Sequence, residues 1–267
     1  MTDLEVARIM AAYKVSPEEQ LRQIQFRRQL VEWWGIQPGQ RILEIGCGQG
    51  DMTAVLADAV GPAGYVLAVD SADESYGSPV SLGDSAAAIK NSVLGPAIEF
   101  RYNFSDYESL GPDSDFDLVV LANCSWYFTN ADQLRDLLKK VGYLAPKLLF
   151  SEWDANPRHL SQLGHFLSVQ FAQLCSAHYA DAELNIRNAL SKDAIKELMR
   201  SVGWHPTSET LFNQPELSDG KWEIQMCLEA AARPGADQRL LPIVEAIRAN
   251  QHHTEALPIF AVVATLS

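Results

Sequence analysis

Residues 43–50 read Leu-Glu-Ile-Gly-Cys-Gly-Gln-Gly, an acidic residue followed by three glycines at alternate positions. The apolar run at 41–45 is typical of a short buried strand, and 51–60 has the pattern of a helix. Glycines at a strand-to-helix turn let the backbone approach a ligand at places where a β-carbon would collide with it. We therefore predict a ligand-binding turn at 46–50, between a buried strand and a helix.

Strand-like and helix-like segments alternate on both sides of this turn. Helices are predicted at 3–12, 17–34, 51–60, 84–92, 130–142 and 191–202, and strands at 41–45, 64–69, 97–102, 116–122, 147–151, 207–212 and 258–266. Short connections between alternating elements are typical of a parallel sheet covered on both faces. The sequence predicts an α/β fold with a doubly wound, mainly parallel seven-stranded sheet.

The 16 glycines and 13 prolines are spread along the chain, so no long linker divides it. We predict one domain over 1–267, made of four parts. These are N-terminal helices (1–37), a cofactor-binding core (38–155), a helical cap over the site (156–190) and the C-terminal half of the sheet (191–267).

Two acidic side chains indicate which class of ligand the turn would bind. Asp70 ends the second predicted strand, twenty residues after Gly50, and its carboxylate can accept both hydroxyls of a ribose. Glu44, two residues before Gly46, suits a ligand with an ammonium group. The nicotinamide fingerprint G-x-G-x-x-G would require glycine at position 51, where the chain has Asp51.

The motif, the placement of Asp70 and the strand pattern resemble class I S-adenosylmethionine-dependent methyltransferases over roughly residues 38–152. The resemblance implies a Rossmann-like methyltransferase fold, S-adenosylmethionine as cofactor and S-adenosylhomocysteine as product. It places the glycine-rich turn against the methionine part of the cofactor, Asp70 at the ribose, and either Asn103 or Asp106 at the adenine. The expected cofactor-binding residues are Glu44, Gly46, Cys47, Gly48, Gln49, Gly50, Asp70, Ser71, Asn103, Phe104, Asp106 and Asn123.

Aromatic and titratable residues near the strand ends are candidates for contacting the substrate. They are Tyr13, Trp126, Tyr127, Trp153 and His165, with Glu152 and Asp154 beside them. Tyr127 and His165 are also the candidates for a role in the chemistry, with His165 as a base. Each has a structural alternative: the aromatic residues can simply pack the strand ends, and a histidine among apolar neighbours can be a packed side chain.

Composition excludes several other classes of function. Acidic residues outnumber basic ones by 34 to 21, and this balance of −13 disfavours nucleic acids and anionic membranes as partners. The four cysteines form no C-x-x-C pair, and His252-His253 lacks any metal-ligand spacing, so we predict no metal. No G-x-S-x-G elbow, phosphate-binding loop, signal peptide or membrane-length apolar run is found, and we expect a soluble cytoplasmic protein.

The expected function is methyl transfer to a small, partly apolar acceptor by in-line displacement, with a mild preference for oxygen over nitrogen or carbon. The predicted cap resembles the architecture of small-molecule methyltransferases of specialised metabolism. Three alternatives remain: a cyclase or other non-methylating enzyme on the same fold, a nicotinamide-dependent oxidoreductase, and a binding subunit without chemistry.

Overall fold

One seven-stranded sheet organises the part of the chain that the computed structural model describes, residues 1–111, 114–178, 184–233 and 237–266. Its strands are β1 (Arg41–Ile45), β2 (Tyr65–Val69), β3 (Ile98–Arg101), β4 (Leu118–Ala122), β5 (Lys147–Trp153), β6 (Trp204–Phe212) and β7 (Ile259–Leu266). The spatial order is β3-β2-β1-β4-β5-β7-β6. Strands β1 to β5 run parallel to one another, and β7 runs antiparallel between β5 and β6. The predicted fold class is confirmed.

Helices cover both faces of the sheet. They are α1 (Asp3–Ile9), α2 (Pro17–Trp34), α3 (Asp51–Val60), α4 (Leu82–Lys90), α5 (Ala131–Val141), α6 (Leu163–His178), α7 (Lys192–Ser201), α8 (Asp219–Ala231) and α9 (Leu241–Asn250). Helices α1 to α4 share a buried apolar cluster with one face, and α5 and α7 share another with the opposite face. None of the helices in the described ranges combines the length and apolar composition needed to cross a bilayer.

Alternation along β1 assigns its side chains to the two layers. Ile42 packs with the α1–α4 layer, whereas Leu43 and Ile45 pack with the α5–α7 layer. Successive strand residues point to opposite faces, so Glu44 lies on the same face as Ile42, under α3. The acidic residue of the motif is therefore buried between the sheet and a helix, and its exposed fraction is 2%.

A third apolar cluster lies beyond the sheet and is formed by α6, α8 and α9. The predicted cap at 156–190 contains α6, while its residues 179–183 lie outside the described residues. Because α8 and α9 follow the predicted cap in the chain and still pack against α6, the helical layer draws on more of the sequence than expected. The division of the chain at 155 and 190 stays a prediction.

Several element boundaries differ from the predicted ones. Helix α1 ends at Ile9, and a 3-10 turn follows at Ala11–Lys14. Strand β5 continues to Trp153, since all seven of its residues pair with β7. Glu152 and Trp153 are thus the last residues of a strand, not part of the loop that follows it, and their backbone is fixed by the sheet.

The order of strands also fixes where a ligand can bind. The chain moves outward from β1 to β2 and β3, then returns to place β4 on the other side of β1. Ligands of doubly wound sheets bind at the carboxyl ends of the strands where the order reverses. In this chain that position lies between Gly46, which follows β1, and Asn123, which follows β4.

Candidate active site

Three glycines shape the turn between β1 and α3, and each has a positive φ: 74° at Gly46, 51° at Gly48 and 84° at Gly50. A β-carbon at Gly46 would lie 2.5 Å from Cβ of Cys124, and one at Gly50 would lie 2.6 Å from Cδ1 of Ile89. At Gly48 no atom of the described residues would lie within 4 Å. Packing inside the protein therefore requires Gly46 and Gly50, whereas Gly48 faces open space that a ligand can enter.

The carboxylate of Asp70 holds this turn against the end of β2. One oxygen accepts the N–H of Gly48 at 2.9 Å, and the other accepts the N–H of Ala72 at 2.9 Å. Each carboxylate oxygen can accept a further hydrogen bond. The structure therefore places Asp70 directly beside the open side of the turn, and Ser71 follows it with an exposed side chain.

Other side chains of the turn have structural partners. Gln49 donates from its side-chain Nε2 to the Val80 carbonyl at 2.7 Å, and its main-chain carbonyl accepts the Ser85 hydroxyl at 2.6 Å. Cys47 is buried, and burial raises the pKa of its thiol well above the usual range. These residues fix the shape of the turn, and a direct contact of either side chain with a cofactor stays a prediction.

Glu44 lies beneath the turn. Its carboxylate accepts the Thr53 hydroxyl at 2.6 Å, and burial raises its pKa to about 8, although Arg27 opposes the shift. Removal from water disfavours the charged form of a carboxyl group. Contact between Glu44 and a ligand ammonium group stays a prediction.

The segment after β3 lies against Asp70. The N–H of Phe104 donates to the Asp70 carbonyl at 2.9 Å, and the amide of Asn103 donates to Asp73 at 2.7 Å. The Asp106 carboxylate accepts the N–H of Ser109 and so caps a short 3-10 turn. Asn103 and Asp106 are both engaged within the protein, and which of them meets an adenine stays open.

Asn123 stands between the glycine-rich turn and a cavity. Its N–H donates to the Ser151 carbonyl at 2.8 Å, and its Oδ1 accepts the Ser151 hydroxyl at 3.2 Å. Its Nδ2 is buried and has no hydrogen-bond partner among the described residues. Buried donors are normally paired, so this amide marks a place where a ligand can supply an acceptor.

A cavity of about 50 Å³ opens beside Asn123 and gathers most of the predicted substrate-contacting residues. It is lined by Asn123, Trp126, Tyr127, Glu152, Trp153, His165, Ile186, Asp219, Trp222 and Glu223. Tyr13 is not among its lining residues and packs instead against the cluster of the α1–α4 layer. Asp154 is buried near the cavity but is also absent from its lining, and accepts hydrogen bonds from Asn156.

Three lining residues come from α8 and were not anticipated. Asp219, Trp222 and Glu223 are spaced at i, i+3 and i+4, which places them on one face of a helix. That spacing is visible in the sequence, but only the packing of α8 against α6 directs the face toward the end of β5.

Glu152 joins the ends of β4 and β5 at the floor of the cavity. Its Oε2 accepts the N–H of Ser125 at 2.8 Å, the hydroxyl of Ser125 at 2.7 Å and the N–H of Trp126 at 3.2 Å. Its side chain is buried, and burial raises its pKa to about 7 in spite of these donors. Burial also raises the pKa of Asp219, and raises that of Glu223 to about 8.

His165 is buried in the cavity wall, with its ring edge-on to Trp153 at 5.3 Å between centroids. Its Nδ1 accepts the N–H of Leu257 at 2.9 Å, and burial lowers its pKa to about 3. A neutral imidazole that accepts at Nδ1 carries its proton on Nε2. In this state His165 offers a donor, and the predicted role as a base would require the Leu257 hydrogen bond to break.

Known proteins resemble this chain in both sequence and architecture. Residues 6–80 match the model of the protein-L-isoaspartate (D-aspartate) O-methyltransferase family. The ubiquinone/menaquinone biosynthesis C-methyltransferase UbiE of Ectopseudomonas mendocina is 32% identical over 190 residues, covering 70% of this chain and 67% of that protein. A cyclopropane-fatty-acyl-phospholipid synthase-like protein from Lactobacillus casei superposes with a TM-score of 0.88 at 32% identity, covering 98% of both chains.

A further relative shows a more limited match. Methyltransferase phomM' of Diaporthe leptostromiformis is 24% identical over 230 residues, which cover 71% of this chain. The match spans 59% of the length of that relative.

Proposed function

Because the chain belongs to the class I S-adenosylmethionine-dependent methyltransferases, we propose that it transfers a methyl group from S-adenosylmethionine to a small molecule bound in the cavity beside Asn123. One observation carries the proposal: the glycine-rich turn, open at Gly48 and held by Asp70, adjoins that cavity through Asn123 and Cys124. A cofactor site and a substrate cavity thus share a wall.

The residues of the turn fit the cofactor. Gly48 leaves the space that a β-carbon would fill, Asp70 retains acceptor capacity for ribose hydroxyls, and the unpaired amide of Asn123 matches a carboxylate. Gly46, Cys47, Gln49 and Gly50 would hold the backbone of the turn in this shape. We propose Asn103, Phe104 and Asp106 as neighbours of the adenine, and Ser71 as a neighbour of the ribose.

When bound, the cofactor supplies a methyl group on a positively charged sulfur, already activated toward a nucleophile. The protein's contribution is then alignment of the acceptor and exclusion of water. Trp126, buried with 3% exposure, and Trp153 form walls that exclude water, and Glu152 fixes the main chain of residues 125 and 126. Tyr127 stands half exposed, at 52%, where the cavity meets solvent.

Oxygen remains the proposed acceptor atom, with carbon as the alternative because the relative UbiE is a C-methyltransferase by name. A hydroxyl acceptor must lose a proton during transfer. The carboxylates that line the cavity accept a proton when ionised, whereas His165 in its present tautomer donates one. We accordingly propose His165 as a donor that orients the acceptor.

The cofactor assignment is tested by replacing Asp70→Ala and measuring binding of S-adenosylhomocysteine by calorimetry. Hydrogen bonds to charged groups contribute about 1.5–3 kcal/mol, so affinity should fall roughly tenfold to a hundredfold. Asp132→Ala, at an exposed acid on α5, removes the same charge and should leave affinity unchanged. Wild-type affinity in Asp70→Ala would contradict the assignment.

Methyl transfer itself is tested by incubating the protein with S-adenosylmethionine and candidate small acceptors, and by quantifying S-adenosylhomocysteine and methylated product. Equal amounts of the two products support the proposal. Conversion of an acceptor without S-adenosylhomocysteine would instead identify a non-methylating enzyme of the cyclase type.

A further inference from the structure

The cavity beside Asn123 combines aromatic walls with carboxylates. Trp126, Tyr127, Trp153 and Trp222 contribute rings, and Glu152, Asp219 and Glu223 contribute carboxyl groups. Aromatic faces attract cations through the ring quadrupole, and carboxylates attract them by charge. Together they form a surrounding typical of a site for an organic cation.

The protein supplies little positive charge of its own to these carboxylates. The donors to Glu152 are all neutral, from Ser125, Trp126 and Trp153. Asp219 accepts a hydrogen bond from Gln23 and is stabilised by the charge of Arg27, which itself donates to Gln23. Glu223 makes no hydrogen bond or ion pair with any described residue, and no cation is among the causes that shift its pKa.

A buried donor of a lining residue also lacks a partner. Nε1 of Trp126 is buried and has no acceptor within the described ranges, as is true of Nδ2 of Asn123, which is assigned above to the cofactor carboxylate. Trp126 is 97% buried, since its exposed fraction is 3%. A ligand of the cavity can therefore present an oxygen acceptor to Trp126 as well as a cation to the carboxylates.

We propose that the substrate of the methyl transfer is a small amino alcohol, whose protonated amine lies among Glu152, Asp219 and Glu223 and whose hydroxyl oxygen accepts from Trp126. Transfer would form the bond from that oxygen to the methyl carbon and break the bond from the methyl carbon to sulfur, so that S-adenosylhomocysteine leaves and the hydroxyl proton passes to an ionised carboxylate of the cavity. This inference rests on the proposed function. A metal cation fits less well, because these carboxylates do not belong to any group of three or more His, Cys, Asp or Glu side chains in the described chain that could hold one.

The size of the cavity agrees with a small polar ligand. A cavity needs roughly 10–15 Å³ of such volume to hold one water molecule, and this one has about 50 Å³. It accommodates an ammonium group and the first atoms attached to it. Tyr127 and Trp222 are 52% and 51% exposed, so the rest of the ligand extends between two rings that border solvent.

The test compares small amino alcohols with neutral molecules of the same shape, on protein saturated with S-adenosylhomocysteine. Ethanolamine is paired with propanol, and dimethylethanolamine with isoamyl alcohol, in each of which carbon replaces nitrogen. Calorimetry should show each amine binding at least tenfold more tightly than its neutral counterpart. Equal affinity within both pairs would overturn the proposal.

Two variants of α8 locate the effect. Glu223→Gln removes one cavity carboxylate and should weaken amine binding at least tenfold, with no change for the neutral alcohols. Glu229→Gln removes the same charge from an exposed position of the same helix and should have no effect. If Glu223→Gln fails to fold, Asp219→Asn is measured in its place, and full amine affinity in the variant that folds would overturn the proposal.

Proton release gives an independent signature. Burial raises the pKa of Glu223 to about 8, so an arriving ammonium group should expel a proton at pH 7. Calorimetry in two buffers with different ionisation enthalpies measures that proton, and its loss in Glu223→Gln assigns it. The other titratable groups that line the cavity around Glu223 are Tyr127, Glu152, His165 and Asp219, and Arg27 of α2 acts on Asp219.

Two other outcomes separate a failure of the amino-alcohol proposal from a failure of the proposed function. If Glu223→Gln weakens S-adenosylmethionine but not S-adenosylhomocysteine, and amines bind no better than alcohols, the carboxylates serve the sulfonium and the amino alcohol is wrong. If the wild-type protein does not bind S-adenosylhomocysteine at all, the proposed function fails. Selective amine binding in its absence would then leave a binding protein for amino alcohols.

Discussion

Gly48→Ala separates the fold of the glycine-rich turn from its binding function. Gly48 donates its N–H to Asp70 at 2.9 Å, and an alanine at this position retains that donor. Its added β-carbon would meet no atom of the described residues within 4 Å, so it collides with nothing that the protein contains there. It would instead occupy the space proposed for the cofactor.

The magnitude follows from the backbone. With φ at 51°, an alanine at Gly48 adopts the left-handed conformation, which costs roughly 1–2 kcal/mol. Gly35, which ends α2 at φ 69° and ψ 41°, also has a positive φ and equally open surroundings, so Gly35→Ala is a matched control. Both variants should lose similar stability, with the melting temperature falling by about 2–4 °C per kcal/mol.

Of the two variants, only Gly48→Ala should bind S-adenosylhomocysteine more weakly than the wild type does. Calorimetry with S-adenosylhomocysteine should show at least a tenfold weaker affinity, about 1.4 kcal/mol, while Gly35→Ala binds as the wild type does. The thermal stabilisation by ligand, about 2.7 kcal/mol at a hundredfold excess over the dissociation constant, should shrink accordingly. Unchanged affinity in Gly48→Ala would refute the idea that the open side of the turn receives the cofactor.

Two further variants address the buried polar groups of the site. Glu44→Gln should stabilise the protein at pH 8 relative to wild type, with little difference at pH 4.5, in denaturant unfolding followed across this range without cofactor. The pKa of Glu44 in the folded state, near 8, exceeds its value in the unfolded state. The native state therefore binds more protons, and the wild type loses stability as the pH rises between the two pKa values. A stability difference between the two proteins that stays unchanged across this range would contradict this reasoning. Asn123→Gly deletes an amide whose Nδ2 has no partner in the described structure and accommodates the φ of 52°. Asn123→Gly should therefore lower the affinity for S-adenosylhomocysteine, while its free energy of unfolding stays within about 1 kcal/mol of the wild-type value. Retention of full affinity would remove Asn123 from the cofactor site.

Local signals were sufficient to predict the framework of this fold. The apolar runs at β1, β2 and β4 and the glycines after β1 specify strands and a turn within a few residues of sequence. Parallel strands that are buried on both faces are near-continuous apolar runs, and such runs can be recognised in a single sequence. The position of Asp70 at the end of β2, beside Gly48, likewise follows from the strand pattern alone.

The cavity beside Asn123 depends on contacts between distant parts of the chain. Asp219 and Glu223 lie in a helix that is far in sequence from Trp126 and Glu152, and they join the cavity only because α8 packs on α6. The tautomer of His165 is set by Leu257, which is 92 residues away. A single sequence carries no local trace of such pairings, so the residues can be named as candidates but their chemistry cannot.

The segment 123–126 links the glycine-rich turn to the cavity beside Asn123. Cys124 contacts Gly46 and donates from its thiol to the Ile45 carbonyl at 3.2 Å, which fixes the segment to the cofactor turn. The next two residues, Ser125 and Trp126, are fixed to Glu152 at the floor of the cavity. A ligand at the turn and a ligand in the cavity would therefore contact one continuous stretch of main chain, held by buried groups on both sides. Substitution of Glu152, which touches only the cavity side, should for this reason disturb the positions of both ligands relative to each other, and methyl transfer should suffer more than the binding of either one.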